Sequence, residues 1–387
     1  MTPAARLSAA IGTLDRILAG EGAEAALTSW GRASRFAGSG DRAAVRDLVY
    51  DALRARRSHA ALGGGLTGRG LILGGLRAAG VDPAPLFSGE GHAPAPLADT
   101  DAGSAPEGNA ALDCPDWLAP RLQASLGAEF QPVMQAMRYR APVFLRVNAA
   151  KADLAVAQAV LAAEGIETRP HPLARLALEV TAGARKIQNS RAYADGLVEL
   201  QDAASQAVVE ALPLQGGMRV LDHCAGGGGK TLAMGAATGS GARLDLHAHD
   251  ASPRRMRDLP ARASRAGIKV RLVETPEDLA PFDLILADAP CSGSGSWRRD
   301  PQGKWALTPE RLAALTQIQA EILDRVAPMV APQGWLAYAT CSMLAEENRD
   351  QIDAFLARTP GWTVARQLSL TPLSGGDGFF LALMRKL

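Results

Sequence analysis

The part of the chain after residue 201 alternates short apolar runs with stretches of helical periodicity, and this alternation restricts the fold more than any other feature. The strand-like runs are residues 219–221, 244–249, 270–273, 283–287 and 335–339. The longest helical stretch between them covers residues 309–326. Strands that alternate with helices form a mostly parallel sheet with helices on both faces. The sequence therefore predicts an α/β domain over residues 201–387, with a closing strand at 379–384 at an edge or in a hairpin.

Residues 1–80 predict a helical domain with a surplus of positive charge. Apolar residues recur at helical spacing, as at Leu14 and Ile17 and again at Val45 and Val49. The segment holds eleven arginines against six acidic residues, and seven of these arginines lie between positions 32 and 57. Such a surplus is typical of a solvated helix face and also of a surface that faces RNA, so the pattern leaves both open.

Two further segments separate this helical part from the α/β domain. Residues 81–113 contain five prolines, four glycines and six acidic residues but no lysine or arginine, which predicts a flexible linker. Residues 114–200 contain strand-like runs at 142–147 and 177–180 on either side of a helical stretch at 152–165. This order predicts a small α+β module.

Several classes of protein are excluded by composition. No apolar run approaches the roughly 20 residues that span a bilayer, and the first residues lack the pattern of a secretory signal, so we expect a soluble cytoplasmic protein without a membrane partner. The four cysteines are Cys114, Cys224, Cys291 and Cys341. They form no CxxC pair, which argues against disulfides and against a zinc site, so no metal is expected.

A glycine-rich turn at residues 223–231 follows the first strand of the α/β domain, where open α/β sheets bind ligands. Successive glycines allow close approach of a ligand to the backbone, and the next helix offers free N–H groups to a carboxylate or phosphate. The phosphate-binding P-loop pattern fails because Cys224 occupies its first glycine position, and the dinucleotide pattern fails at Thr231. The alternative is a turn that only permits tight packing.

Polar and nucleophilic residues follow three other strands. Asp250 ends the second strand, where it could hold the two hydroxyls of an adenosine ribose or cap the next helix. Cys291 and Cys341 follow the fourth and fifth strands, on the same rim as the glycine turn. A thiolate suits attack on an electron-poor ring carbon, and Lys230 or the arginines at 298 and 299 could lower its pKa.

These residues closely resemble the RsmB (Fmu/Sun) group of RNA cytosine-5 methyltransferases. The matching stretches are QDAASQ at 201–206, LDHCAGGGGKT at 221–231, Asp250, DAPCSGSGSWRRDP at 288–301, YATCS at 338–342 with Glu346-Glu347-Asn348 behind it, and DGFF at 377–380. The resemblance covers nearly the whole chain. It implies a Rossmann-like class I methyltransferase domain at 201–387, an RNA-contacting module at 114–200 and a NusB-like RNA-binding domain at 1–80.

The resemblance also implies roles for individual residues. Cys341 is the nucleophile that adds to carbon-6 of cytosine, Cys291 assists release of the product, and Asp288 hydrogen-bonds the base beside Lys230. The target base must leave its stack to reach them. The residues implied for S-adenosylmethionine are Cys224, Ala225, Gly226, Gly227, Gly228, Gly229, Lys230, Asp250 and Asp288. RNA, and specifically 16S rRNA of the small subunit, is the implied partner of a monomeric enzyme.

The sequence departs from the family at two points that concern the cofactor. Gly226-Gly227 stand where family members usually carry Ala-Pro, and residues 274–278 read ETPED where Gly-Asp-Gly is usual, so no residue is assigned to the adenine. Two other functions remain open. A DNA cytosine methyltransferase would use the Pro-Cys cysteine, and a noncatalytic RNA-binding assembly factor would need neither thiol.

Overall fold

A computed structural model describes residues 1–237 and 243–387 and divides the chain into two compact units. The first unit contains Met1–Arg140 and the short segment Trp297–Ala306, and the second contains Ala141–Ser296 and Leu307–Leu387. Residues 114–140, which the sequence groups with the small α+β module, lie in the first of these compact units. In the part of the chain described here, no helix is long and apolar enough to cross a membrane.

The first unit is helical, as the periodicity of residues 1–80 predicts. Its helices of at least seven residues are Pro3–Leu18, Ala23–Ala33, Ser39–Arg54, Arg56–Leu62, Gly68–Ala78, Ala119–Leu126 and Phe130–Ala136. The first begins with Thr2 as N-cap, whose side chain accepts from the Ala5 amide, and with Pro3 in its first turn. Leu14, Val45 and Leu71 lie fully buried in the common core of these helices.

Residues 81–113 form the first correction to the sequence-based organisation, because they pack on the helices instead of forming a free linker. Phe87 is 2% exposed within the helical core. Asp101 accepts hydrogen bonds from Arg69 Nε at 2.9 Å and Nη2 at 2.7 Å, and its carbonyl accepts from Arg77. The acidic composition of this segment therefore complements the arginine surplus of the helices.

The segment Trp297–Ala306 is the second correction, because the sequence places it in the α/β domain and the structure packs it in the helical unit. It contains the helix Pro301–Ala306. Arg54 Nε donates to the carbonyl of Arg298 at 2.7 Å, and Lys304 Nζ donates to the carbonyl of Arg54 at 3.1 Å. Lys304 is 1% exposed, and this burial lowers its pKa to about 8.

The second unit contains two sheets, of which the smaller is antiparallel with the order β2-β3-β1-β4. Its strands are β1 (Val143–Val147), β2 (Glu167–Pro170), β3 (Ala177–Ala182) and β4 (Val198–Leu200). The helix Leu154–Ala163 packs on this sheet and contributes Ala157 and Leu161 to its core. Residues 141–200 thus have the predicted α+β character.

The larger sheet has seven strands in the order β10-β11-β9-β8-β5-β6-β7. They are β5 (Arg219–Asp222), β6 (Asp245–Ala248), β7 (Arg271–Leu272), β8 (Phe282–Asp288), β9 (Val330–Thr340), β10 (Trp362–Leu370) and β11 (Phe379–Lys386). Strands β5 to β9 pair in parallel, whereas β11 pairs antiparallel with both β9 and β10. The predicted parallel sheet is confirmed, and the closing strand lies in a hairpin with β10.

Helices cover this sheet and bury its apolar side chains. They are Ala203–Glu210, Gly229–Ala237, Leu259–Ala266, Pro309–Val326 and Arg349–Arg358. Leu221, Ile285 and Leu336, one from each of three adjacent strands, are fully buried in the same cluster. Parallel strands bring their carboxyl ends to one edge of a sheet, so the residues that follow β5, β6, β8 and β9 can meet there.

Candidate active site

The glycine turn joins β5 to the helix that begins at Gly229 and is tied to the neighbouring strands. The His223 amide donates to the carbonyl of Leu286 in β8, and the Ala225 amide donates to the carbonyl of His249 after β6. Gly228 has a φ of +80°, and a Cβ atom there would lie 2.2 Å from Cδ1 of Leu259. This position therefore requires glycine, both for its left-handed backbone and for space.

Asp250 is buried beneath this turn and uses both carboxylate oxygens. Its Oδ2 accepts from the Gly226 amide at 2.9 Å, and its Oδ1 accepts from the Ser252 amide at 2.9 Å. Arg255 Nη1 lies 3.2 Å from Oδ2. The helix-cap alternative predicts a hydrogen bond from a nearby backbone amide, and the contact with Ser252 is of this kind. The contact with Gly226 connects Asp250 to the glycine turn, and its role toward a ribose stays a prediction.

Asp222, the last residue of β5, is a buried carboxyl that the sequence reasoning did not single out. Its Oδ2 accepts from the Thr231 hydroxyl at 2.6 Å, and its Oδ1 has no hydrogen-bond partner among the residues that the structure describes. Burial is the main cause that raises the pKa of Asp222 to about 7. Its signal in the sequence was an acidic residue at the end of the strand that enters the turn.

Lys230 and Asp288 form an ion pair at the carboxyl end of β8. Lys230 Nζ lies 2.7 Å from Asp288 Oδ2 and 4.5 Å from the ring centroid of Phe379. Burial by itself would lower the pKa of Lys230, but the Asp288 carboxylate more than offsets this, and the pKa of Lys230 is raised. The site therefore keeps a buried cation.

The two cysteines that follow β8 and β9 meet as predicted, with 3.5 Å between Cys291 Sγ and Cys341 Sγ. The hydrogen bond from the Cys291 thiol, opposed by burial and aided by Lys230, lowers the pKa of Cys341. The same contact, together with burial and the negative charge of Glu347, raises the pKa of Cys291. Of the two thiols, Cys341 is therefore the one that ionises more readily.

The remaining candidates differ in where they lie. Burial raises the pKa of Cys224 in the glycine turn, which disfavours its thiolate form. The backbone of Arg298 is hydrogen-bonded within the helical unit, and the cation that lowers the pKa of Cys341 is Lys230. Glu277, in the stretch that departs from the family, pairs with Arg325 at 2.6 Å. Among the residues described, no group of three or more His, Cys, Asp or Glu could hold a metal ion.

Glu347 is a second site residue whose role the sequence did not reveal. It stands behind both cysteine loops, where the serines that follow Cys291 and Cys341 each donate a hydroxyl to Oε2 at 2.5 Å. Its only sequence signal was its place in the acidic stretch after YATCS.

Comparison with known proteins agrees with this geometry. A family model described as 16S rRNA methyltransferase RsmB/F matches residues 209–384, and a model of the ferredoxin-like domain of RsmF/B-like methyltransferases matches residues 114–185. The ribosomal RNA small subunit methyltransferase B of Salmonella arizonae is 36% identical over 287 residues, which are 70% of this chain and 66% of that protein. The protein of the same name from Salmonella typhi is also 36% identical, with the same shares covered.

Solved structures share the fold. The crystal structure of a methyltransferase homolog protein from Pyrococcus horikoshii covers 71% of this chain and 96% of its own, with a TM-score of 0.63 and 25% identity. The structure of the protein PH0851 covers 100% of this chain and 99% of its own, with a TM-score of 0.79 and 22% identity.

The RsmB/F model covers the larger sheet, which carries the site, the ferredoxin-like model covers β1 to β3 of the smaller sheet, and the curated relatives are matched over 66% of their length. The two family models do not include residues 1–113, so the NusB-like description of the N-terminal helices stays a prediction. The motifs, the sheet order and these matches together show that the chain belongs to the RsmB/F family of S-adenosylmethionine-dependent methyltransferases.

Proposed function

We propose that this protein methylates carbon-5 of a cytosine in RNA, and that Cys341 forms a transient covalent bond with carbon-6 of the base. The observation that carries the proposal is the asymmetric thiol pair, in which Cys341 Sγ lies 3.5 Å from Cys291 Sγ and its pKa is lowered with the help of Lys230. Carbon-5 of cytosine is a poor nucleophile until a nucleophile has added to carbon-6. A stabilised thiolate meets that requirement.

The addition step uses the ion pair beside the thiolate. Cys341 Sγ adds to carbon-6, and electron density moves into the ring toward carbon-5. Asp288 accepts from Lys230 through Oδ2, and its carboxylate can also accept from the exocyclic amine of cytosine, the pairing that acidic side chains make with this base. Lys230 keeps the local charge balanced, so that the thiolate and the Asp288 carboxylate can coexist in a buried site.

The glycine turn and the two carboxyls beneath it fit the methyl donor. Asp222 Oδ1 is a buried acceptor that meets no donor in the described parts of the chain, and the backbone of Gly226 to Gly229 carries no side chains that would block close approach. We assign the turn from Cys224 to Lys230, with Asp222 and Asp250, to S-adenosylmethionine. When bound, this cofactor supplies the methyl group that carbon-5 accepts.

Release of the product uses the second cysteine. The proton on carbon-5 passes to water or hydroxide, the double bond between carbon-5 and carbon-6 forms again, and Cys341 leaves as a thiolate. The Cys291 thiol can donate to this departing thiolate across the 3.5 Å that separates the two sulfur atoms. The hydrogen bond that lowers the pKa of Cys341 in the free protein therefore also stabilises the leaving group.

The substrate assignment rests on the relatives and on the arginines of the first unit. The Salmonella relatives are named as small subunit rRNA methyltransferases, and we propose 16S rRNA as the substrate here. Arg32 and Arg35 are exposed at the end of the helix Ala23–Ala33 and support an RNA-facing role for the helices of residues 1–80. We propose the same for the module of residues 114–200, and we expect a monomer that acts in the cytoplasm.

A labelling experiment distinguishes this function from its alternatives. The purified protein is incubated with methyl-labelled S-adenosylmethionine and with small-subunit rRNA, other RNA or duplex DNA, and bisulfite sequencing then locates the modified base. We expect label in rRNA at carbon-5 of cytosine. Label in DNA would indicate a DNA methyltransferase, and cofactor binding without label in any substrate would favour a noncatalytic RNA-binding factor.

A further inference from the structure

The carboxylate of Glu347 lies fully buried behind the two cysteine loops and accepts from four donors. Oε2 accepts from the hydroxyls of Ser292 and Ser342, each at 2.5 Å. Oε1 accepts from the Ser292 amide at 2.7 Å and from Gln319 Nε2 at 3.0 Å. Glu347 itself is 0% exposed. A buried carboxylate is costly unless such donors satisfy it, so this one is specifically accommodated.

The hydroxyls that donate to Glu347 cannot easily reverse their direction. Ser292 Oγ already accepts from the Ser294 amide at 3.3 Å, and Ser342 Oγ accepts from the Leu344 amide at 3.0 Å. Their protons therefore point to the carboxylate. Glutamine at position 347 would offer one acceptor oxygen where two are used, because its NH₂ group would face either the two hydroxyls or the donors from Ser292 and Gln319.

We propose that Glu347 is a positioning residue that holds the Cys291 loop against the Cys341 loop, and that it acts mainly on release of the methylated product. The proposal rests on the proposed function, because it assigns Glu347 to one step of the covalent reaction. The carboxylate touches neither sulfur in the contacts described. It acts through Ser292 and Ser342, the residues that follow the two cysteines in sequence.

Loss of Glu347 should affect release more than addition, because the Glu347 carboxylate makes more hydrogen bonds to the Cys291 loop than to the Cys341 loop. Next to Cys341, Ser342 gives only its hydroxyl to Glu347, and its backbone is held by other residues: its amide donates to Thr340 Oγ1 at 3.3 Å, and its carbonyl accepts from Asn348 Nδ2 at 2.9 Å. Ser292, in contrast, gives both its amide and its hydroxyl to Glu347. Loss of the carboxylate should therefore displace Cys291 more than Cys341.

The charge of Glu347 has a second effect on Cys291 that can be measured separately. The charge of Glu347 contributes to the raised pKa of Cys291, and Lys230 contributes to the lowered pKa of Cys341. The charges around the two thiols thus differ, because Cys291 faces the Glu347 anion whereas Cys341 faces both the Asp288 carboxylate and the Lys230 cation. Removing the anion should therefore make Cys291 easier to ionise, and the alkylation rate of Cys291 can report this change.

The test that is independent of catalysis is alkylation of the free protein with iodoacetamide over pH 6–10, with each cysteine followed by peptide mass spectrometry. In Glu347→Gln we expect the alkylation rate of Cys291 at pH 8 to rise about 3- to 10-fold, since one pKa unit is a tenfold change in thiolate fraction. The midpoint for Cys341 should move less. The control variant Glu346→Gln changes the neighbouring carboxylate and should leave both profiles as in the wild type.

The catalytic test is product release measured in single-turnover and steady-state methylation of RNA. In Glu347→Gln we expect adduct formation within about threefold of wild type but release slowed about 10- to 100-fold, the order of loss expected when a reacting group is displaced by about 1 Å. A denaturation-resistant protein–RNA adduct should then accumulate. Ser292→Ala, which keeps the carboxylate, should show a smaller effect in the same direction and guards against a folding defect in Glu347→Gln.

The outcomes distinguish the positioning role of Glu347 from the covalent mechanism. Unchanged alkylation profiles in both folded variants would overturn the positioning role. Equal slowing of adduct formation and release would also overturn it, because Glu347 would then support the site as a whole. A changed Cys291 profile with no covalent adduct in any variant, wild type included, would leave the positioning of Cys291 intact and would refute the covalent cytosine-5 mechanism instead.

Discussion

Replacing Lys230 with methionine should raise the pKa of Cys341, because it removes the buried cation and leaves the Asp288 carboxylate, which lies 2.7 Å from Nζ, to act on the thiol alone. A charge within about 4–6 Å shifts a pKa by about 1–3 units. Because this pair is buried, solvent ions screen it little, and the shift should lie toward the larger end of that range. We therefore expect a rise of at least about one unit in the pKa of Cys341.

The assay is the pH profile of Cys341 alkylation by iodoacetamide in the free protein. At a pH below the pKa of Cys341 in both the wild type and the variant, a rise of one unit in that pKa cuts the thiolate fraction about tenfold. The more basic thiolate is, however, intrinsically about threefold more nucleophilic for a Brønsted slope near 0.4–0.5. The observed rate at pH 7 should therefore fall about threefold, and the midpoint should move upward by the full shift.

Two variants control this experiment. Asp288→Asn removes the anion and should move the midpoint of Cys341 downward, opposite to Lys230→Met, since Asp288 raises that pKa. Lys269→Met changes an exposed lysine of the same unit and should leave the midpoint in place. A midpoint that is unchanged in Lys230→Met, in a protein whose melting temperature shows it to be folded, would refute the electrostatic account of the nucleophile.

Three other predictions follow from the turn and from the first unit. Gly228→Ala should destabilise the protein by about 2–5 kcal/mol in denaturant unfolding, because it combines a left-handed backbone with a Cβ 2.2 Å from Leu259; a change under about 1 kcal/mol would contradict the tight fit. Asp250→Ala should weaken S-adenosylmethionine binding about 10- to 100-fold by calorimetry, and unchanged affinity would leave this residue as a helix cap. Arg32→Glu with Arg35→Glu should raise the Kd for RNA and lower the salt slope by about 1–2 without changing cofactor affinity; an unaltered slope would make these helices a structural or protein-docking unit.

Parts of the fold were predictable because their physical cause is local. The parallel strands are short, apolar and bounded by turns, and they lie at the predicted positions within a few residues. Strand β10 escaped prediction because it is an edge strand whose residues, such as Arg366 and Ser369, are largely exposed and polar. An edge strand needs no alternating apolar face, so periodicity could not reveal it.

Two segments lie in other parts of the fold than the sequence predicted, because their contacts are with residues far away in the sequence. Residues 81–113 have the composition of a linker, but the burial of Phe87 and the pairing of Asp101 with Arg69 depend on helices elsewhere in the sequence. The segment Trp297–Ala306 follows a site motif directly, yet its contacts lie with residues near Leu53, roughly 250 positions earlier. Such contacts leave no trace in the local pattern of either partner.

In the site, the sequence predicted the residues whose type indicates their chemistry, such as cysteine and lysine. It did not reveal residues that act by positioning these. Cys291, Cys341 and Asp288 stand at or just after strand ends, and Lys230 lies in the first turn of the helix after the glycine turn; the two cysteines contact each other, and Lys230 pairs with Asp288. Glu347 lies in the Glu346-Glu347-Asn348 stretch that matches the family, but only the fold reveals that its carboxylate is buried against two serines.

The central claim is that Cys341 forms the bond to the base and that Cys291 serves only its release. The most direct measurement is denaturing gel electrophoresis of the protein after incubation with labelled small-subunit rRNA and S-adenosylmethionine. We predict a cofactor-dependent protein–RNA band in Cys291→Ala, and no such band in Cys341→Ala or in the double variant. A stable band in Cys341→Ala but not in Cys291→Ala would show that Cys291 is the nucleophile and would contradict the account.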